Sequence, residues 1–204
     1  MTKKIALTIT FVALLIVSVT GQEISAKESK PSGGLTQQIL SVSYDNEVKS
    51  SNPDSVNSTG VYATAGHWNP NRIHRYYLFV DLSALPKDAQ IQTAELYLDR
   101  VSSTWDQDGL YAIHQVQAPW QTTTLTWNNQ PVFSTTFVTG IHTQNGLFRF
   151  DVTDWLASTS STEDLQFGFM LKKPVESGDN NGLFATIDYP INGGETRPYL
   201  VVTY

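Results

Sequence analysis

The chain of 204 residues has no cysteine. That excludes disulfides, thiolate-held metals and a lipid-modified N-terminal cysteine, so an exported form must be stable by packing alone. Basic residues are scarce: 13 Lys and Arg stand against 19 Asp and Glu, for a formal charge of −6. A chain of that sign does not seek nucleic acid or an anionic membrane by bulk attraction. Signatures of catalysis are missing too, with no Gly-x-Ser-x-Gly elbow, no phosphate-binding loop and no dinucleotide fingerprint. The four histidines, His67, His74, His114 and His142, fall on different expected elements without His-Glu-x-x-His spacing, so no transition-metal site is expected. No repeat of solenoid or propeller length is present.

The one long apolar run is at the N-terminus. Lys3 and Lys4 precede an uncharged stretch over 5–19, and small residues follow at Gly21 and Ala26, which is the layout of a secretory signal peptide over 1–26. The run is too short to span a bilayer comfortably, a retained signal anchor being the alternative, and no membrane span is expected once it is removed. Cleavage is expected after Ala26 or, as the rival site, after Gly21. The first choice removes Lys3, Lys4 and Glu23 and takes the formal charge from −6 to −7. Residues 27–37 read as a polar linker around Pro31-Ser32-Gly33-Gly34, and 38–204 as one domain.

Within that domain, Tyr76-Tyr77-Leu78-Phe79-Val80-Asp81 and Ile91-Gln92-Thr93-Ala94-Glu95-Leu96-Tyr97-Leu98 are rich in aromatic and branched residues, and Pro86 closes the segment between them. Such runs favour a pleated, half-buried surface. Similar short segments lie at 38–44, 60–65, 75–81, 91–101, 109–117, 146–150, 165–172, 182–188 and 199–204. Turn sequences separate them, among them Ser51-Asn52-Pro53-Asp54, Trp68-Asn69-Pro70-Asn71, Asp106-Gln107-Asp108-Gly109, Gly178-Asp179-Asn180-Asn181-Gly182 and Asn192-Gly193-Gly194. This spacing predicts an all-β antiparallel sandwich or barrel, with one short helix over 152–157 capped by Asp151.

Six motifs then occur in a fixed order: Phe79-Val80-Asp81-Leu82-Ser83-Ala84-Leu85-Pro86; Ala94-Glu95-Leu96-Tyr97-Leu98; Trp120 with Leu125-Thr126-Trp127-Asn128-Asn129-Gln130-Pro131; Phe150-Asp151-Val152-Thr153; Gly168-Phe169; and Arg197-Pro198-Tyr199-Leu200-Val201-Val202-Thr203-Tyr204. In that order they resemble a DNRLRE domain, the bacterial module also grouped as carbohydrate-binding module family 96, over nearly all of 39–204. The resemblance implies a jelly-roll-like β-sandwich, a secreted or cell-surface location and an extracellular polysaccharide as partner. The chain departs from the family's Phe-x-Ser-x-Glu before the last strand, having Phe184-Ala185-Thr186-Ile187-Asp188. An ion pair or cation supported by that acid would be reached less easily from Asp188.

Most of these motifs read as structure. Trp120 and Trp127 suit a lid over the end of a sandwich core, Asn128 to Pro131 a turn tied by its own amides, and Asp81 and Asp151 caps on nearby backbone N–H groups. Trp68 and Trp105 differ, because each sits in loop-like surroundings beside hydrogen-bonding residues. An exposed indole there suits the C–H face of a pyranose while neighbouring groups meet its hydroxyls. Of the basic residues, Arg72, Arg75, Arg100 and Lys172 are candidates to join Trp68 and Trp105 in the site, where convergence on one face would clamp uronate or sulfate groups; Arg149 and Lys173 belong to the same scattered set. Asp106, Asp108 and Asp179 are weak candidates for a structural calcium, the only cofactor considered, and the Asp106 loop lacks the glutamate that completes an EF-hand. No pair of carboxylates is singled out for glycosidic cleavage, so no enzyme is expected. The expected function is a secreted, non-catalytic polysaccharide-binding module, the alternatives being a structural or adhesive surface protein and, last, a small glycan-degrading enzyme.

Overall fold

The computed structural model describes residues 34–68, 72–144, 146–157, 167–190 and 197–204. The leader expected at 1–26 and most of the expected linker lie outside the described residues, as do Asn69-Pro70-Asn71 and Asn192-Gly193-Gly194. Eleven strands and one helix are present among those described: β1 Gln37–Lys49, β2 Tyr62–Trp68, β3 Arg72–Val80, β4 Thr93–Ser102, β5 Ala112–Val116, β6 Phe133–Thr139, β7 Ile141–Gln144, β8 Leu147–Asp151, α1 Thr153–Ala157, β9 Phe169–Lys172, β10 Asn180–Ala185 and β11 Tyr199–Thr203. All the strand pairings are antiparallel. The fold is an all-β sandwich, as its alternating short segments require.

β1 belongs to both layers. Its first part, 37–41, pairs with β11, and its second part, 42–49, pairs with β3, with a register shift between Val42 and Tyr44 where it crosses over. One layer runs from this first part through β11 and β4 to β8 and β7, with β10 on the end of β4 and β2 beside β10. The other runs from the second part of β1 through β3, β9 and β5 to β6. The β2–β3 pairing at Trp68↔Arg72 links the layers a second time, so hydrogen bonding rolls round one side of the sandwich.

Alternation along β3 shows where the apolar surface goes. Tyr76, Leu78 and Val80 face a core shared by both layers, with Leu96, Leu98, Ile113, Phe148, Phe150, Leu171, Phe184 and Leu200. Tyr77 points the other way, into a second cluster with Val48, Val116, Trp120, Leu125 and Met170. That second core lies on the outer face of the β1–β3–β9–β5 layer, roofed by the connection between β5 and β6. Trp120 and Trp127 therefore cover the flat of a sheet and not the end of the sandwich. The Trp120 indole is buried, donates from Nε1 to the Phe167 carbonyl at 2.8 Å, and meets Tyr44 and Tyr77 edge-on at 5.0 and 5.7 Å. The roof is tied as its amides predict: the Asn129 side chain receives Thr126 N–H and donates to the Thr124 carbonyl, both at 2.7 Å.

Two strands escape the sequence pattern. β6 is Thr-rich, β7 is short and mostly polar, and each is paired on one side only, with exposed Phe137 and Ile141, so their composition lacks the apolar alternation that marks a half-buried strand. The helix starts one residue later than expected, with Asp151 accepting from Thr153 N–H at 3.1 Å and Thr153 Oγ1 at 2.6 Å. Those bonds hold its carboxyl below the usual range. Asp81 does the same for Ser83 N–H at 2.9 Å. Asp188 is exposed, and the buried acid near it is Asp45, which accepts from Tyr76 Oη at 2.6 Å and from Ile187 N–H at 2.9 Å. Burial, with a smaller contribution from the Asp188 charge, pushes Asp45 above the usual carboxylate range despite those two bonds. No helix among the described residues is long and apolar enough to cross a membrane.

Candidate functional site

Trp68 is not in a loop but ends β2, directly across from Arg72, the first residue of β3. Trp105 sits in the β4–β5 connection. The two indoles come together with ring centroids 6.2 Å apart and planes 34° apart, and they stay 39% and 51% exposed. This spacing lets the rings touch and leaves no room for a sugar between them, so they present one continuous aromatic wall. Beside the wall lies a cleft of ≈ 190 Å³, lined by Trp68, Ser102, Thr104, Trp105, Asn181, Gly182 and Leu183. Hydroxyl groups thus stand next to exposed ring surface.

Glycines let the backbones behind the cleft approach one another. Gly66 has φ +136°, and a Cβ there would run into the Asn180 carbonyl and lie 2.7 Å from Asn181 Cα. A Cβ at Gly182 would collide with the Tyr111 hydroxyl and lie 3.0 Å from Arg100 Cδ. A side chain at either position would push these segments apart.

The loops are laced to each other by polar bonds. Gln107 N–H donates to Asn180 Oδ1 at 3.1 Å, the Gln107 side-chain amide to the Asp179 carbonyl at 2.7 Å, and Asn181 N–H to the Trp105 carbonyl at 3.1 Å. Asn181 Nδ2 reaches the His67 carbonyl at 3.3 Å, and His67 Nδ1 donates to the Gly178 carbonyl. Asp106 and Asp108 do converge as a calcium loop would, but on the ammonium of Lys173, 2.6 Å from an oxygen of each. Asp179 contributes its carbonyl to the lacing and does not complete a donor set with them; among the described residues no group of three His, Asp or Glu is placed to hold a metal. Burial raises both aspartates, yet the bond to Lys173 and bonds from the N–H groups of Gly109 and Leu110 leave them below the usual carboxylate range.

The basic candidates do not form a clamp. Arg72 alone stands exposed beside the indoles. Arg100 lies beneath, paired with Asp106 and 5.0 Å over the Phe148 ring. Arg75 makes a forked pair with Glu176, at 2.8 Å from both Nε and Nη2, donates to Gln130 at 2.8 Å and stacks 4.8 Å over Trp127. Lys172 reaches the same Glu176 at 3.4 Å. These two side chains converge on Glu176 beside the outer-face core, and its carboxylate offsets one of their two charges. Lys173, one of the scattered basic residues, turns its ammonium inward, and a lysine following an apolar strand gives no sign of that in the sequence.

Together these elements define a class: an antiparallel β-sandwich whose laced loops hold an exposed aromatic wall beside a mainly apolar cleft edged by the neutral polar residues Ser102 and Thr104. Residues 37–204 match carbohydrate-binding module family 96, and the chain belongs to that family. Among curated proteins none matches it.

Proposed function

We propose that the protein is a secreted, non-catalytic module that binds a polysaccharide along the Trp68–Trp105 wall and its cleft. The observation that carries this reading is the pair of exposed indoles, held 6.2 Å apart by loops that are themselves cross-bonded. A preformed wall loses little freedom when a sugar packs on it, while Ser102 and Thr104 supply hydroxyl partners for the sugar's own hydroxyls. No residue lining the cleft titrates, so it offers no general acid or base to cut a glycosidic bond. The basic N-terminus followed by an apolar run supports export. Arg72 is the one cation from the candidate set at the wall, which favours a mainly neutral contact with at most a single charged sugar group per site.

Affinity electrophoresis of the mature protein through gels containing individual neutral and acidic polysaccharides tests the proposal. Retardation by at least one is expected, and Trp68→Ala and Trp105→Ala should each weaken it about tenfold, which corresponds to ~1.4 kcal/mol. Retardation that survives both substitutions moves binding to another face. No retardation on a broad panel favours the structural or adhesive alternative.

A further inference from the structure

We infer that Lys173 is the positioning residue of this cleft, an internal cation that holds the Trp105 loop in the way a bound metal would. The consequence for affinity rests on the polysaccharide-binding reading; the consequence for the geometry of the indoles does not.

The Lys173 side chain is completely buried. Its ammonium meets Asp106 Oδ1 and Asp108 Oδ1, each at 2.6 Å, and lies 4.0 Å from the centre of the Tyr111 ring, so all of its charge is directed inward. From there two lines of bonds run to the cleft. Through Asp106, next to Trp105 in the chain, the first reaches Arg100 on β4 and Gly109 N–H. Through Asp108 the second reaches Leu110 N–H and Asn180 Nδ2, both within 2.9 Å, and Asn180 in turn receives Gln107 N–H. Asn181, the next residue, donates to the Trp105 carbonyl. Every one of these bonds closes on the segment that presents the Trp105 ring, or on the turn into β10 that faces it.

An Asp-x-Asp-Gly loop has the oxygens to surround calcium, but two carboxylates on one ammonium, with Arg100 on the far oxygen of Asp106, are already neutralised. Because Lys173 directly follows β9, its cation is tethered to the sheet through the chain and joins the loop to it by ion pairs, whereas a metal ion would be free to leave. The cleft is thereby independent of metal supply. Removal of the ammonium leaves two carboxylates facing each other, and the loop must open to hydrate them.

The test compares wild type with Lys173→Ala and Asp108→Asn. Close, non-parallel indoles couple their transitions, so wild type is expected to give an exciton couplet in the near- and far-ultraviolet circular dichroism that Trp68→Ala and Trp105→Ala both abolish. Excess EDTA should leave it unchanged, and its loss in EDTA would overturn the inference. Lys173→Ala should lose at least half of the couplet and, where wild type is retarded by a polysaccharide, at least nine-tenths of its affinity. Propylammonium, which replaces the missing part of the side chain together with its charge, should restore both, whereas propanol should not. If Lys173→Ala folds only when propylammonium is present, that is the same result in stronger form. Asp108→Asn, at a partly exposed position, keeps the Lys173–Asp106 pair and should fold with a reduced couplet. An unchanged couplet in both variants, or equal rescue by propanol, would refute an organising role for the charge. Absence of retardation in wild type counts against sugar binding only, because the couplet and its rescue are read without sugar.

Discussion

Replacing Trp120 distinguishes a roof from a binding platform. An indole of this kind buries roughly 200 Å², which at about 25 cal/mol per Å² is worth ~5 kcal/mol on transfer alone. Alanine recovers a small part of that, and partial collapse of the roof recovers more, so a loss of about 4 kcal/mol is expected for Trp120→Ala. For a domain of this length that corresponds to a fall in Tm of roughly 8–16 °C. Trp120→Phe keeps most of the apolar area and the edge contacts with Tyr44 and Tyr77, but leaves the Phe167 carbonyl without its 2.8 Å donor. Its cost should be smaller, about 1–2 kcal/mol. Urea unfolding followed by circular dichroism measures both: the midpoint should move with little change in slope, since the surface exposed on unfolding is nearly the same. Affinity electrophoresis of folded Trp120→Phe should match wild type. A variant that keeps wild-type stability and loses retardation would refute the assignment of Trp120 to the core and move the binding face to the outer surface of the β1–β3–β9–β5 layer.

What the sequence reveals here follows from how local each feature is. The strand at 72–80, expected over 75–81, and the turn at Asp81-Leu82-Ser83 are legible because a run of aromatic and branched residues, a capping aspartate and Pro86 all act within a few residues. Trp68 and Trp105 stand out as exposed aromatics in polar company, although nothing local shows that positions 37 residues apart touch; that depends on β10 running between β2 and β4. The arginines mislead for the same reason. Arg72 and Arg75 differ by three positions, yet one borders the indoles and the other is absorbed by Glu176, far along the chain. An Asp-x-Asp-Gly segment reads as a weak calcium candidate, and nothing local shows that its two carboxylates meet the ammonium of Lys173. The second core is hidden most completely. Tyr77 and Met170 look like outward-facing residues on strands, and only the long β5–β6 connection folding back over them makes that face an interior.

The close approach of β2 and β10 should tolerate little. Gly66→Ala places a methyl group in the Asn180 backbone at a φ of +136°, and thermal unfolding should show a loss of at least 2 kcal/mol, with less than 0.5 kcal/mol contradicting the described approach of β2 and β10. The buried His114 gives a pH dependence with a definite sign. Its ring lies against Phe133 and Phe137, Nδ1 is engaged at 2.8 Å with the Ser134 carbonyl, and Lys172 and Arg75 are the nearby cations, opposed by Glu176. Burial, reinforced by those two cations, depresses its pKa below the ordinary histidine value, the Ser134 bond and Glu176 acting in the opposite sense. The unfolded chain therefore binds the His114 proton at a higher pH than the folded one does, and the neutral ring contributes stability that is fully present above about 6.5 and declines as the pH falls through that value toward the lower folded pKa. In urea titrations from pH 7.5 to 5, wild type should lose stability through this window, and His114→Gln, which does not titrate, should lose measurably less. Equal slopes for the two proteins would place the acid sensitivity elsewhere, and the carboxylates on Lys173 would not account for it, since their folded pKa values lie below the usual range and their contribution is lost only at more acidic pH.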